Sequence, residues 1–302
     1  MAKVQHSSCY GRRKEEFRRN FVQFAMCRMG PGLLARKVLR FAAAAVFVAM
    51  PLSALALGCD GLVDGPKGTV TSVTDGDTVV LDTGVVVRLI GTQAPKLPLG
   101  REDFETWPKA EEARLALEKL TLGKRVEVRH GGEQVDRHGR TLGQVFVVGT
   151  PELWVQQRMI ADGWARVYSF PDNRACLPQL LSAEGSARLM KLGIWTDPYY
   201  LVRRADRPAE LAGRLGHYEL VEGRVLLADE AQGRIYLNFG RSWKEDFTAV
   251  LERPAVQLFS RSGLDPLKLE GALVRIRGWV DDIDGPRVEV THPEQIEVLL
   301  AP

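Results

Sequence analysis

The sequence predicts a mainly β chain with added helices, of the α+β class, and three observations carry that expectation. Apolar residues alternate over Thr78–Val80 and Val85–Ile90 across Asp82-Thr83-Gly84, the pattern of a β-hairpin. Helical periodicity then takes over in stretches near 108–120, 151–162 and 177–192. Further on, strand patterns return at 218–227, 233–239 and 246–251, followed by a short helix at 253–260 and strands at 271–280 and 286–300. Three strands, a helix and two strands is the order of a five-stranded OB barrel.

Taken in order, the chain starts with a basic stretch, 1–40, and an apolar run, Phe41–Leu57, interrupted by Pro51. Basic residues, an apolar core and small residues are the layout of an export signal, so 1–58 is expected to be an export or membrane leader. Three fates stay open: cleavage after Ala54-Leu55-Ala56, lipidation of Cys59 behind Ala56-Leu57-Gly58, or retention as an anchor of about 17 residues, the short limit for a span. The leader holds ten Lys and Arg against two Glu, which leaves 31 basic and 36 acidic residues beyond it. The exported part is therefore mildly acidic, which argues against tight, indiscriminate polyanion binding, since counterion release needs clustered Lys and Arg.

The hairpin carries the chemistry. A turn ahead of it sets Asp75 beside Asp77, and its second strand bears Arg88 among apolar neighbours. Paired carboxylates next to a guanidinium suit a metal ion and a phosphate. Asx-Gly turns also form without a metal, and a strand arginine also pairs with a neighbouring acid.

Asp-Gly-Asp-Thr at 75–78, Arg-Leu-Ile-Gly-x-x-Ala-Pro at 88–95 and Asp-Arg-His-Gly-Arg at 136–140 closely resemble the staphylococcal nuclease (thermonuclease) family, in its order and near its spacing. The resemblance covers about Gly68 to Trp195. It implies an OB-fold barrel with added helices over 66–197, joined by a linker, 198–214, to the OB-like barrel of 215–302. It also implies phosphodiester cleavage in DNA or RNA with Ca2+ or another divalent cation. Asp77 matches a metal-binding aspartate, supported by Asp75, and Arg88 and Arg140 match the arginines that clamp the phosphate and stabilise transition-state charge. Tyr168 falls near a tyrosine that contacts the nucleotide. His138 is expected to be a surface turn residue.

Two positions depart from the family pattern. Gln93 stands where a metal-binding aspartate belongs, and Lys96 where the glutamate proposed as general base belongs. An amide weakens calcium binding, and an ordinary lysine accepts no proton at neutral pH. Glu102, Asp103 and Glu105 on the following loop are candidate substitute carboxylates; alternatively Lys96 and Gln93 hold the phosphate themselves. Of the four cysteines, Cys9 and Cys27 lie in the leader. Cys59 and Cys176 remain, and in the family fold the chain start reaches the segment before the last helix, implying a Cys59–Cys176 disulfide, which excludes a lipid on Cys59; the alternative is an inert, buried Cys176.

Two functions follow as expectations, and behind them a third, an envelope scaffold in which the second barrel carries the interaction and the first is a relic. One is an exported nuclease, periplasmic or membrane-associated in a bacterial envelope, with an altered or weakened centre. The other is a non-catalytic module holding nucleic acid or another phosphate-bearing ligand through the same residues. The aromatics Tyr236, Phe239, Trp243 and Phe247 of the second unit offer stacking surfaces, but in so small a barrel they are expected rather to pack its interior; nothing in the sequence identifies a protein partner.

Overall fold

The structure, a computed structural model, describes residues 59–242 and 244–302. The expected leader and Trp243 lie outside the described residues.

The first unit opens with β1 (Val63–Asp75), β2 (Thr78–Leu81) and β3 (Val86–Leu89), then the short β4 (Gly91–Gln93), α1 (Ala110–Thr121), β5 (Arg125–His130) and β6 (Thr141–Val147). β1 pairs antiparallel with both β2 and β5, β5 with β6, and β6 runs parallel to β3. The path β3-β2-β1-β5-β6 thus returns on itself and closes a five-stranded barrel. Val79, Leu81, Val87, Leu89, Val126, Val128 and Val145 fill it, all inaccessible to solvent or nearly so. α1 buries Ala110, Ala113, Leu117 and Thr121, a helical stripe, whereas Leu115 points outward.

Leu153–Trp154, expected to be helical, form β7 and pair with β6. The Trp154 indole donates to Gln144 Oε1 at 2.9 Å, and that bond holds the segment extended until α2 (Val155–Ala161) begins. β8 (Arg166–Tyr168) pairs with β4 outside the barrel, and α3 (Leu177–Leu189) packs behind it. Cys176, at the start of α3, is disulfide-bonded to Cys59, with 5.2 Å between their Cα atoms.

The stretch 198–214 is packed rather than a free tether. It forms β9 (Arg203–Arg204), parallel to the next strand, and α4 (Pro208–Ala212), whose Leu211 is fully buried.

The second unit comprises β10 (Tyr218–Arg224), β11 (Leu227–Ala231), β12 (Arg234–Asn238), β13 (Thr248–Leu251), α5 (Arg253–Ser262), β14 (Leu273–Asp282), β15 (Pro286–Glu289) and β16 (Ile296–Leu300). Its path, β11-β12-β13-β15-β14-β10, has a parallel β13–β15 pair with α5 between β13 and β14, as the first barrel has a parallel β3–β6 pair with α1 ahead of β5. A turn at Pro293 splits the expected strand 286–300 in two, and β16 pairs back onto β14. Phe239 and Phe247 pack inside, whereas Tyr236, expected with them, stays half-buried because it alternates along β12 with the buried Ile235 and Leu237.

Buried charge joins the two units. Arg277 of β14 and Glu184 of α3, both with fully buried side chains, pair at 2.9 Å and 3.2 Å. Arg188 also pairs with Glu184, at 2.8 Å, and Glu297 accepts from Arg277 and Arg275. Glu184 also accepts the Val167 N–H at 2.7 Å. Burial alone would raise the Glu184 pKa, but Arg277 and Arg188 outweigh it and hold the carboxyl below its ordinary value. Around this network, Arg174 pairs with Glu294 through two bonds of 2.8 Å, and Ser169 Oγ lies 2.7 Å from His292 Nε2.

Candidate functional site

The turn between β1 and β2 is compressed: a Cβ on Gly76 would meet the Ala94 Cβ at 2.5 Å. With no side chain there, the backbone closes in, and Asp75 Oδ1 accepts the Asp77 N–H at 3.1 Å. Asp77 is fully buried, and its Oδ2 accepts the Ala94 N–H at 2.9 Å. Lys96 Nζ then sits between the acids, 2.6 Å and 2.7 Å from the two oxygens of Asp77 and 3.3 Å from Asp75 Oδ2. Arg88 Nη2 lies 3.2 Å from Asp77 Oδ2. Burial works to raise the Asp77 pKa, yet Arg88 and Lys96 pull it down to about 2. Asp75 moves the other way, upward, through burial and then the Asp77 charge.

This donor set does not fit a divalent cation. Calcium takes six to eight oxygens, several of them anionic. Here both Asp77 oxygens are engaged by N–H groups and two cations already neutralise the two carboxylates. Gln93 offers no replacement, because its Oε1 accepts from Arg166 Nε at 2.9 Å. Among the described residues, no group of three or more His, Cys, Asp or Glu is placed to hold a metal. The Lys96 ammonium stands where an ion between Asp75 and Asp77 would stand, so Asp77, expected as a metal ligand, is an ion-pair partner.

Asp75, Arg88, Gln93, Lys96, Arg140 and Tyr168 converge on one cleft of about 940 Å³. Arg88 is turned into its wall, donating to the carbonyls of Asp77, Leu89 and Thr92, and its side chain is 11% exposed. Its placement supports the Asp77 turn more than it serves a phosphate clamp. Arg140 is the open one: its side chain is 36% exposed, and Nε donates to Asp136 Oδ2 at 2.7 Å. Asp136 caps the Asp-Arg-His-Gly-Arg turn, its Oδ1 accepting the N–H groups of His138 and Arg140 at 2.8 Å and 3.0 Å. Although burial opposes it, these bonds and the Arg140 guanidinium hold the Asp136 carboxyl below its usual pKa. His138 is an exposed turn residue, as expected.

Glu102, Asp103 and Glu105 are exposed and do not line the cleft; the same loop turns Arg101 and Phe104 inward instead, stacked at 3.7 Å. A loop of that length places its apolar residue against the cleft and leaves its acids in water. The cleft carboxylates are Asp75, Glu133, Asp136 and Asp172. Sequence reasoning also missed Trp279, which reaches the cleft from β14 and donates from Nε1 to the Tyr168 hydroxyl at 3.1 Å. No local signal could have found it, because 111 residues separate the pair.

A family model described as "Staphylococcal nuclease homologue" matches residues 86–197. The chain is 35% identical over 144 residues to Protein ParB of Escherichia coli, spanning 44% of this chain and 74% of that protein. It is 33% identical over 144 residues to micrococcal nuclease of Shigella flexneri, spanning 44% and 75%. It is 30% identical over 148 residues to Endonuclease YhcR of Bacillus subtilis (strain 168), spanning 43% of this chain and 11% of that protein. With the closed barrel and the three motifs gathered on one cleft, these likenesses lead to one conclusion: the chain belongs to the family of staphylococcal nuclease homologues.

Proposed function

We propose that this chain is a nuclease with an altered centre, taking a DNA or RNA strand into the cleft and acting on its phosphodiesters. The observation that carries this is the cleft itself, which gathers the exposed Arg140 guanidinium, Asp75 with Lys96, and the aromatic Tyr168. Arg140 supplies planar donors to phosphoryl oxygens, where developing charge is best stabilised. Asp75, Glu133, Asp136 and Asp172 are the carboxylates in reach of an attacking water's proton. The nuclease names of the relatives from Shigella flexneri and Bacillus subtilis support the same activity.

A second reading, holding without cutting, is favoured by one observation: Lys96 fills the acid pair. The site then keeps its phosphate contacts and loses the ion on which the family's hydrolysis depends. The protein is also read as exported to the bacterial envelope, in the periplasm or at the membrane. The basic and apolar leader pattern supports export, and the Cys59–Cys176 disulfide supports an oxidising compartment and an unlipidated Cys59.

The test is incubation of the purified protein with single-stranded DNA and RNA, in calcium and in chelator, beside Arg140→Ala. Cleavage lost in Arg140→Ala identifies the nuclease, and its persistence in chelator identifies a cation-independent one. Retention of the oligonucleotide uncut identifies the holding module. Neither cleavage nor retention overturns both readings.

A further inference from the structure

Trp279 sits on β14 of the second barrel, opposite Tyr218 in the β10–β14 register, yet lines the cleft of the first. Its side chain is unusual for an indole this well anchored: the residue is 44% exposed, although Nε1 donates to Tyr168. That bond lies in the plane of the ring, so it fixes the orientation without covering either face. Tyr168 and Tyr218 meet the indole at steep interplanar angles, 86° and 71°. Phe170, 39% exposed, lies edge-on to Tyr168 at 4.7 Å. The cleft therefore has a rigid aromatic wall contributed by both barrels and facing the same space as Arg140 and Lys96.

We propose that Trp279 is a base-stacking residue: an unpaired nucleobase of single-stranded DNA or RNA lies on its indole face while the neighbouring phosphate meets Arg140. This rests on the nucleic-acid reading above and adds the ligand's form to it. A base within a duplex offers its edges, whereas an unpaired base offers a π-face, which fixed aromatic rings take irrespective of sequence. Charge supports the same ligand. Beyond the leader the chain carries 31 basic against 36 acidic residues, so stacking has to supply affinity that phosphate contacts alone do not.

The test is a fluorescence-anisotropy titration of the full chain, in chelator, with a labelled oligothymidylate and with an oligomer of equal length whose central nucleotides are abasic. Trp279→Leu is expected to bind the oligothymidylate roughly 5- to 150-fold more weakly while matching the wild type on the abasic oligomer. Trp279→Phe, which keeps a ring but not the hydrogen bond, is expected to recover most of the loss; thermal unfolding verifies that both variants fold. Unchanged oligothymidylate binding by Trp279→Leu overturns the inference and leaves the nucleic-acid reading standing. So does equal weakening on both oligomers, or a Phe variant as weak as Leu, since either points to a structural role. If the wild type binds neither oligomer, the nucleic-acid reading itself falls.

Discussion

Between Asp75 and Asp77, the Lys96 ammonium supplies one charge and three donors where a divalent ion would bring two charges and demand six or more oxygens. Lys96→Glu would exchange that donor for a third carboxylate and open the pair to calcium. We expect this variant to gain thermal stability with added calcium, by about 2.7 kcal/mol at a hundredfold excess over its dissociation constant. The wild type should not respond, and an equal calcium shift in both would contradict the internal-cation account. Asp77→Asn would leave Lys96 and Arg88 facing a neutral amide, at a cost on the order of 3–5 kcal/mol in urea unfolding. The sign of its pH dependence follows from the depressed pKa. The ionised Asp77 contributes fully above its ordinary value of 3.8, and that contribution is lost as pH falls through about 2. The motifs at 75–78, 88–95 and 136–140 were legible in the sequence, as were Gln93 and Lys96 as departures. That Lys96 folds back onto acids 19 and 21 residues away was not, because it depends on where a long flexible side chain finds its best partner.

At the level of elements, α3 and β14 are held by an ion pair with no exposure on either side chain. Such pairs are costly to break singly and cheap to replace together. Glu184→Gln should destabilise by about 3–5 kcal/mol, whereas Glu184→Leu with Arg277→Met should recover part of it, since Glu297 keeps Arg275 at 3.1 Å while Arg188 and the Val167 N–H lose their acceptor. Urea unfolding of both variants decides this; equal losses would mean the pair contributes no coupling. The loop between β15 and β16 adds an acid-sensitive contact. Burial first, then Arg174 and Arg277, push the His292 pKa from 6.5 down to about 4, with Glu294 opposing. The unfolded chain therefore binds the proton that the folded chain refuses, and stability should fall as pH drops from 6.5 toward 4. His292→Gln should flatten that part of the thermal-unfolding profile. The strands themselves were legible from alternation and turns. The packing of 198–214 was not, because its Arg-rich composition reads as a solvated connection, and it is the burial of Tyr200, Ala205 and Leu211 that reveals it is docked.

For the whole molecule, the sheet of the second unit repeats the parallel closing pair of the first barrel, and its run of strands, helix and strands was legible in the sequence, whereas the separate strand β11 was not. The junction between them was hidden, since Arg277, Glu184, Trp279 and Tyr168 are pairs only in three dimensions. The disulfide acts at the same scale. Cys59 and Cys176 span 117 residues, and a closed loop of about 100 residues corresponds to roughly 4.7 kcal/mol of lost unfolded-state entropy in the chain model. Reduction, or Cys176→Ser, should lower stability by about 2–5 kcal/mol, read as a shift in the urea midpoint; no shift would show that the bridge is incidental. The clamped junction also bears on selectivity. Walls fastened by buried charge resist hinging, so the mouth is expected to keep one calibre. A mouth of fixed calibre would sort ligands by girth, and we expect it to admit a slender, flexible strand and turn away whatever would need the jaws to spread.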